Sequence, residues 1–151
     1  MGTEAEDFLA EMMSKQVAAE RAIHNGDVEP RLALWSRTDP VTLFGAKYTG
    51  TGWNDLNVIF HKVASLLSDS TEYDFEVVAA GASGDLAYTV GYEHNHVKVQ
   101  GQPRAYTLRV THVYRREDGQ WRIVHRHGDF PPAADQPIAF PATTPADTAS
   151  R

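Results

Sequence analysis

Four histidines stand in two short pairs, His94-Asn95-His96 and His125-Arg126-His127, and two arginines, Arg109 and Arg126, lie in stretches of alternating polarity. Residues two apart in a strand share a face, so each pair sets two imidazoles side by side. That spacing can hold zinc if a carboxylate completes the site. Only Asp129 and Glu93 offer one nearby, so structural histidines and no metal are expected. An imidazole can also act as a base near neutrality. His94, with Glu93 beside it, is the candidate for acid–base catalysis. The arginines suit another task, because a guanidinium grips a carboxylate through parallel hydrogen bonds. Arg109 and Arg126 are therefore read as an anion-binding floor, or else as one internal ion pair, with Glu93 as the partner.

These residues need a frame, and the chain supplies two periodicities. Thr3-Glu4-Ala5-Glu6 fits a capping box, in which hydroxyl and carboxylate satisfy the first free amides of a helix. Phe8, Leu9, Met12, Met13, Ala19, Ala22 and Ile23 follow at helical spacing, and Asn25-Gly26 ends the run. A short second helix is expected from Asp27 to Trp35, then a strand at Val41–Phe44 and a loop from Gly45 to Gly52. A third helix runs from Trp53 to about Leu67. From Thr71 the period changes to two, predicting strands Tyr73–Ala82, Leu86–Val99, Arg104–Arg115 and Trp121–Gly128. Gly84-Asp85, Gln100–Pro103 and Asp118-Gly119 separate them, so the sheet is mostly antiparallel. Residues 1–132 form one domain, and 133–151, rich in Pro, Ala and Thr, read as a flexible tail.

Alternation then assigns faces. Tyr88, Tyr92 and His94 share one, expected to line a cavity opposite Arg109 and Thr111, with Tyr92 offering a hydrogen bond. Trp35, Trp53 and Phe60, on the helices, are expected to cap the cone chiefly as core residues, with Trp53 and Phe60 also offered as ligand contacts. A four-residue loop Arg116–Gly119 sets Arg109 directly opposite Arg126, a repulsive pair unless an anion or carboxylate lies between. A three-residue turn with Gly119 in a bulge separates them. The first register matches apolar with apolar residues and is the expectation. In it His125 and His127 face away from the pocket. Arg115-Arg116 reads as a solvated hairpin tip.

Composition narrows the function. With no cysteine among 151 residues, disulfides and thiolate chemistry are excluded. A formal charge of −6 argues against non-specific nucleic-acid binding. No run approaches a membrane span, and the acidic N-terminus lacks the pattern of a signal peptide, so a cytoplasmic protein is expected.

The stretch Arg109-Val-Thr111-His-Val-Tyr-Arg-Arg-Glu-Asp-Gly119-Gln-Trp121-Arg-Ile-Val-His125-Arg-His127 resembles the end of the association domain of calcium/calmodulin-dependent kinase II. With Gly26-Asp27 and Gly52, it makes Phe8 to Pro132 similar to the NTF2-like superfamily, in particular its SnoaL-like members. The resemblance implies an α+β cone, three N-terminal helices packed on a curved, mostly antiparallel sheet, and a homodimer formed through the opposite sheet face. Site residues carry over mostly as absences. Where ketosteroid isomerases keep a Tyr, a basic Asp and a second Asp, this chain has Ala19, about Leu43, and Thr111. Limonene-epoxide hydrolases keep an Arg two residues before a carboxylate; here Arg109 stands but Thr111 replaces the acid. The last pocket arginine of the kinase hub falls opposite Gly128. The resemblance thus implies a cofactor-free pocket for a small organic acid or carbonyl compound, with isomerase or hydratase chemistry if His94 or Glu93 serves. The alternative it leaves open is a non-catalytic module for oligomerisation or ligand sensing.

Overall fold

The computed structural model describes residues 2–133; the tail expectation lies almost entirely outside them. Helices α1 (Glu4–Ile23) and α2 (Glu29–Leu34) are followed by the short strands β1 (Thr42–Phe44) and β2 (Thr49–Thr51) and by helix α3 (Trp53–Leu66). A meander follows of β3 (Leu67–Ser83), β4 (Leu86–Val99), β5 (Gln102–Glu117) and β6 (Gln120–Asp129). The six strands form one sheet in the order β2-β1-β6-β5-β4-β3, antiparallel except where β1 runs parallel to β6. This is the expected α+β architecture, with the Gly45–Gly52 segment giving an additional strand.

The capping box forms as read: the Thr3 hydroxyl accepts from the Glu6 amide, and the Glu6 carboxylate accepts from the Thr3 amide. Helix α1 lies on the inner face of the sheet. Its first turns bury Phe8 and Met12 in an apolar core, where Phe8 meets Tyr114 and Trp121 edge-on at 4.8 and 5.3 Å. Its later turns bury Gln16 and Glu20 on the same stripe. The core is therefore apolar at one end and ionic at the other.

The β5–β6 hairpin corrects the expected register. Its turn is two residues long, with Asp118 at φ 50° and Gly119 at φ 77°. Two positive φ angles match the right-handed twist of the flanking strands and favour Asp-Gly. Tyr114 then faces Ile123 and Arg116 faces Trp121, and a bulge at Val124 shifts the pairing so that Val113 meets His125. Beyond the bulge His112 pairs with Arg126, Thr111 with His127, and Arg109 with Asp129. Neither weighed register survives: Arg109 and Arg126 are not opposite, and they lie on different faces. The pair of opposed arginines falls instead at Arg115 and Arg122. Glu117 lies between them, 2.6 Å from Arg115 and 3.9 Å from Arg122. Arg115 is thus no free tip: it also donates to the Ser36 hydroxyl and the Thr38 carbonyl, while Arg116 lies over Trp121.

Candidate functional site: a closed ionic interior and an open outer face

Alternation along β4 sends Thr89, Glu93, Asn95 and Val97 inward and Tyr88, Val90, Tyr92, His94 and His96 outward. The candidate residues are split accordingly. Glu93, Arg126 and Phe60 are inside. Arg109, Thr111, Tyr92, Tyr88 and His94 are outside, on the face away from the helices, which corrects their expected place in the cavity.

Inside, the Arg126 guanidinium straddles Glu93, its two terminal nitrogens donating to the two carboxylate oxygens at 2.9 and 2.7 Å. Gly91 makes room nearby: a Cβ there would collide with the Glu76 carbonyl and the Phe75 ring, which approaches His112 edge-on. The Tyr73 hydroxyl donates to Glu93 at 2.7 Å and accepts from the Gln16 amide at 3.0 Å. On the helix side Arg31 donates to both oxygens of Glu20 at 2.6 Å, and Glu20 lies 3.8 Å from Arg126. Guanidinium and carboxylate therefore alternate from α2 through α1 to β6 and β4, all nearly solvent-free.

Burial alone would raise the Glu93 carboxyl, but the Arg126 charge and hydrogen bonds, with smaller help from His112 and Tyr73, hold it far below the usual carboxylate range. Burial works against the Arg126 charge, and Glu93 overrides it, so Arg126 is held above its ordinary value. Burial, then Glu93, push the Tyr73 phenol well up. Burial and the adjacent Arg126 charge push His112 down to about 3. Its ring is therefore neutral at pH 7. An arginine can only donate, so the 3.2 Å contact with Arg126 makes His112 Nε2 the acceptor and places the proton on Nδ1. A general base serves best with a pKa near the working pH, and Glu93 is ionised with both oxygens engaged.

Outside, His94 sits between the Thr107 hydroxyl and Glu76, at 3.0 Å from each, and stacks on Tyr92. His96 lies 3.4 Å from Glu72. Arg109 holds Asp129 through two bonds of 2.8 Å, both side chains about half exposed. The Asp129 hydrogen bond raises Arg109 above its ordinary value, and the same bond holds Asp129 down. His125 bonds the Thr42 hydroxyl at 2.7 Å and is pushed down by its partial burial. A groove of about 320 Å³ is lined by Val78, Val90, Tyr92, Arg109, Thr111, His127 and Asp129. A wider one of about 610 Å³ runs beside Glu72, Asp74, His94 and His96. Three expected ligand residues, Arg109, Thr111 and Tyr92, thus meet in one groove without Arg126. Among the described residues no cluster of three or more His, Asp or Glu has metal-binding geometry.

The helical candidates are core residues first. Phe60 is fully buried against Trp35 at 5.0 Å and beneath the Arg31 guanidinium. Trp53 is half-buried, with Arg37 over its ring. Sequence reasoning missed Gln16, Glu20, Arg31, Tyr73 and His112. A signal existed for two of them: Phe8, Met12, Gln16 and Glu20 recur every four residues on the apolar stripe.

Among curated proteins none matches the chain significantly. An NTF2-like superfamily protein from Salmonella enterica shares 20% identity over 83% of this chain and 96% of its own, with a TM-score of 0.67. A candidate calcium/calmodulin-dependent protein kinase type II association domain from Thiobacillus denitrificans shares 19% over 79% and 94%, TM-score 0.65. A candidate ketosteroid isomerase from Parabacteroides distasonis shares 17% over 89% and 96%, TM-score 0.64. At such identities these similarities establish the fold alone. No helix among the described residues is long and apolar enough to cross a membrane. The SnoaL-like domain model matches residues 17–133, most of the folded part, and on that match the chain belongs to the SnoaL-like domain family.

Proposed function

We propose that this chain is a non-catalytic association module whose outer sheet face pairs with a second copy. The observation that carries this reading is the exposed apolar surface across β3 and β4. Val78 and Leu86 are 60% and 57% exposed, and Tyr88, Val90 and Tyr92 lie beside them. Contiguous exposed apolar surface marks an interaction site more often than scattered residues do. The interior supports the same reading, because each of its carboxylates is already matched to a guanidinium. Sedimentation or light scattering tests it. Wild type is expected to exceed the monomer mass, and Val90→Asp to halve it with circular dichroism unchanged. An unaltered mass in Val90→Asp sinks the face-pairing reading.

A second reading rests on the groove that joins Arg109, Thr111 and Tyr92. A small carboxylic acid would bind there by taking the place of Asp129 on Arg109. Thermal-shift titration with simple carboxylic acids is then expected to give larger stabilisation for Asp129→Asn than for wild type, and none for Arg109→Ala. Equal shifts in all three proteins would remove the groove from consideration.

A further inference from the structure

The free edge of β3 carries a second association surface, different in kind from the outer face. β3 ends the sheet and bonds to β4 on one side only. An unpaired strand edge is a template for another strand, and proteins usually guard it with charge or with side chains that cover its backbone. The first half of β3 is guarded in both ways. Asp69, Glu72, Asp74 and Glu76 line it. Asn25 accepts from the Ser70 amide, and Arg21 reaches the Tyr73 carbonyl.

The second half has neither of these guards, and its one irregularity is the bulge at Val78. Val77-Val78-Ala79-Ala80-Gly81-Ala82-Ser83 carries no charge, and no side chain bonds its backbone among the described contacts. Its residues are small, which lets a second backbone come close. Gly81 is set by its neighbour: a Cβ there would lie 2.5 Å from the Tyr88 ring, which covers the glycine from the next strand.

We infer that this segment pairs with the same segment of a second copy, antiparallel about a two-fold axis at Ala80, with Val78 as the extra residue of its bulge. The charge pattern selects this occupant. In that arrangement each bare segment meets only the other bare segment, and Glu76 falls opposite Ser83. Beyond Ser83 the chain turns away at Gly84-Asp85 into β4, so the acidic half of each β3 runs past the end of its partner into solvent. An isologous contact of this kind closes on itself. Combined with face pairing, it gives an assembly of four copies.

Size-exclusion chromatography with light scattering and amide hydrogen exchange test the inference. Ala80 pairs with the inward Thr89 and so lies off the outer face that Ala79 shares with Val90; Ala80→Lys therefore sets two like charges at the two-fold axis and leaves the outer face unchanged. The expected result is a fourfold mass for wild type, a halved mass for Ala80→Lys and for Val90→Asp, and a monomer for the double variant, with circular dichroism unchanged throughout. Amides of 77–83 are expected to be protected in wild type and in Val90→Asp, and to exchange freely in Ala80→Lys. The two surfaces fail separately: an unchanged mass in Val90→Asp removes the face, and an unchanged mass in Ala80→Lys removes the edge. Fast exchange of 77–83 in wild type overturns the edge pairing outright. So does protection that arises only on adding a foreign uncharged strand peptide, which would make the occupant a different partner.

Discussion

The two faces of one sheet use the same residue types to opposite ends. Inside, Glu93 and Arg126 are joined in a dry site, and the pair holds its neighbours His112 and Tyr73 in fixed protonation states. Outside, Arg109 and Asp129 make the same bidentate bond at nearly the same length, yet water competes for both partners. The comparison teaches that the geometry of an ion pair says little about its contribution; the surroundings decide. A buried pair is costly to break because one charge is left in low dielectric, whereas an exposed pair exchanges water for a partner at little net gain.

The largest effect is expected from breaking the inner pair. Glu93→Gln leaves Arg126 without its charge partner and should cost about 3–5 kcal/mol in denaturant melts. Replacing both residues with apolar ones of similar size should recover most of that loss. If Glu93→Gln melts like wild type, the interior is wetter than the geometry implies.

Next comes the dependence on acid. His112 has a folded value near 3 against about 6.5 in the unfolded chain. Below pH 6.5 the unfolded chain therefore binds a proton that the folded one refuses. The stability tied to the neutral ring is complete above pH 6.5 and is lost as pH falls toward 3. The slope approaches one proton, roughly 1.4 kcal/mol per pH unit. Glu93 adds to acid loss only below about pH 4.5, because its folded value is depressed. A His112→Gln variant should flatten the stability profile between pH 6.5 and 4.5; an unchanged slope there would assign the acid loss to other groups.

The smallest effect is expected outside. Arg109→Met and Asp129→Asn should leave the melting temperature close to that of wild type, and salt should erase any difference. A loss as large as that of Glu93→Gln would abolish the contrast between the faces.

Much of this was legible in the sequence, and the misses have physical causes. The Thr3–Glu6 box, the three helices and the four long strands follow from local rules, because capping and periodicity act over a few residues. The resemblance carried by Arg109–His127 pointed to the right fold and to the SnoaL-like family. The suggestion that an arginine pairs with Glu93 was sound for Arg126. Two things misled. Val124 is a single extra residue in β6, and it reverses which side chains point inward over the last half of the strand, turning Arg126 into the interior. Arg109 lies on the face opposite Tyr114, as alternation along β5 requires; the error there was to take that face for the pocket.

The sequence by itself determined the elements, their order and their class, since these rest on spacing and on groups that are neighbours along the chain. Only the tertiary structure decided that Gln16, Glu20, Arg31, Tyr73, Glu93, His112 and Arg126 share one buried network. Those residues come from six separate elements, and the free energy that selects their pairing is the cost of leaving any one charge unmatched in the interior. That cost exists only once the sheet and the helices have closed over them.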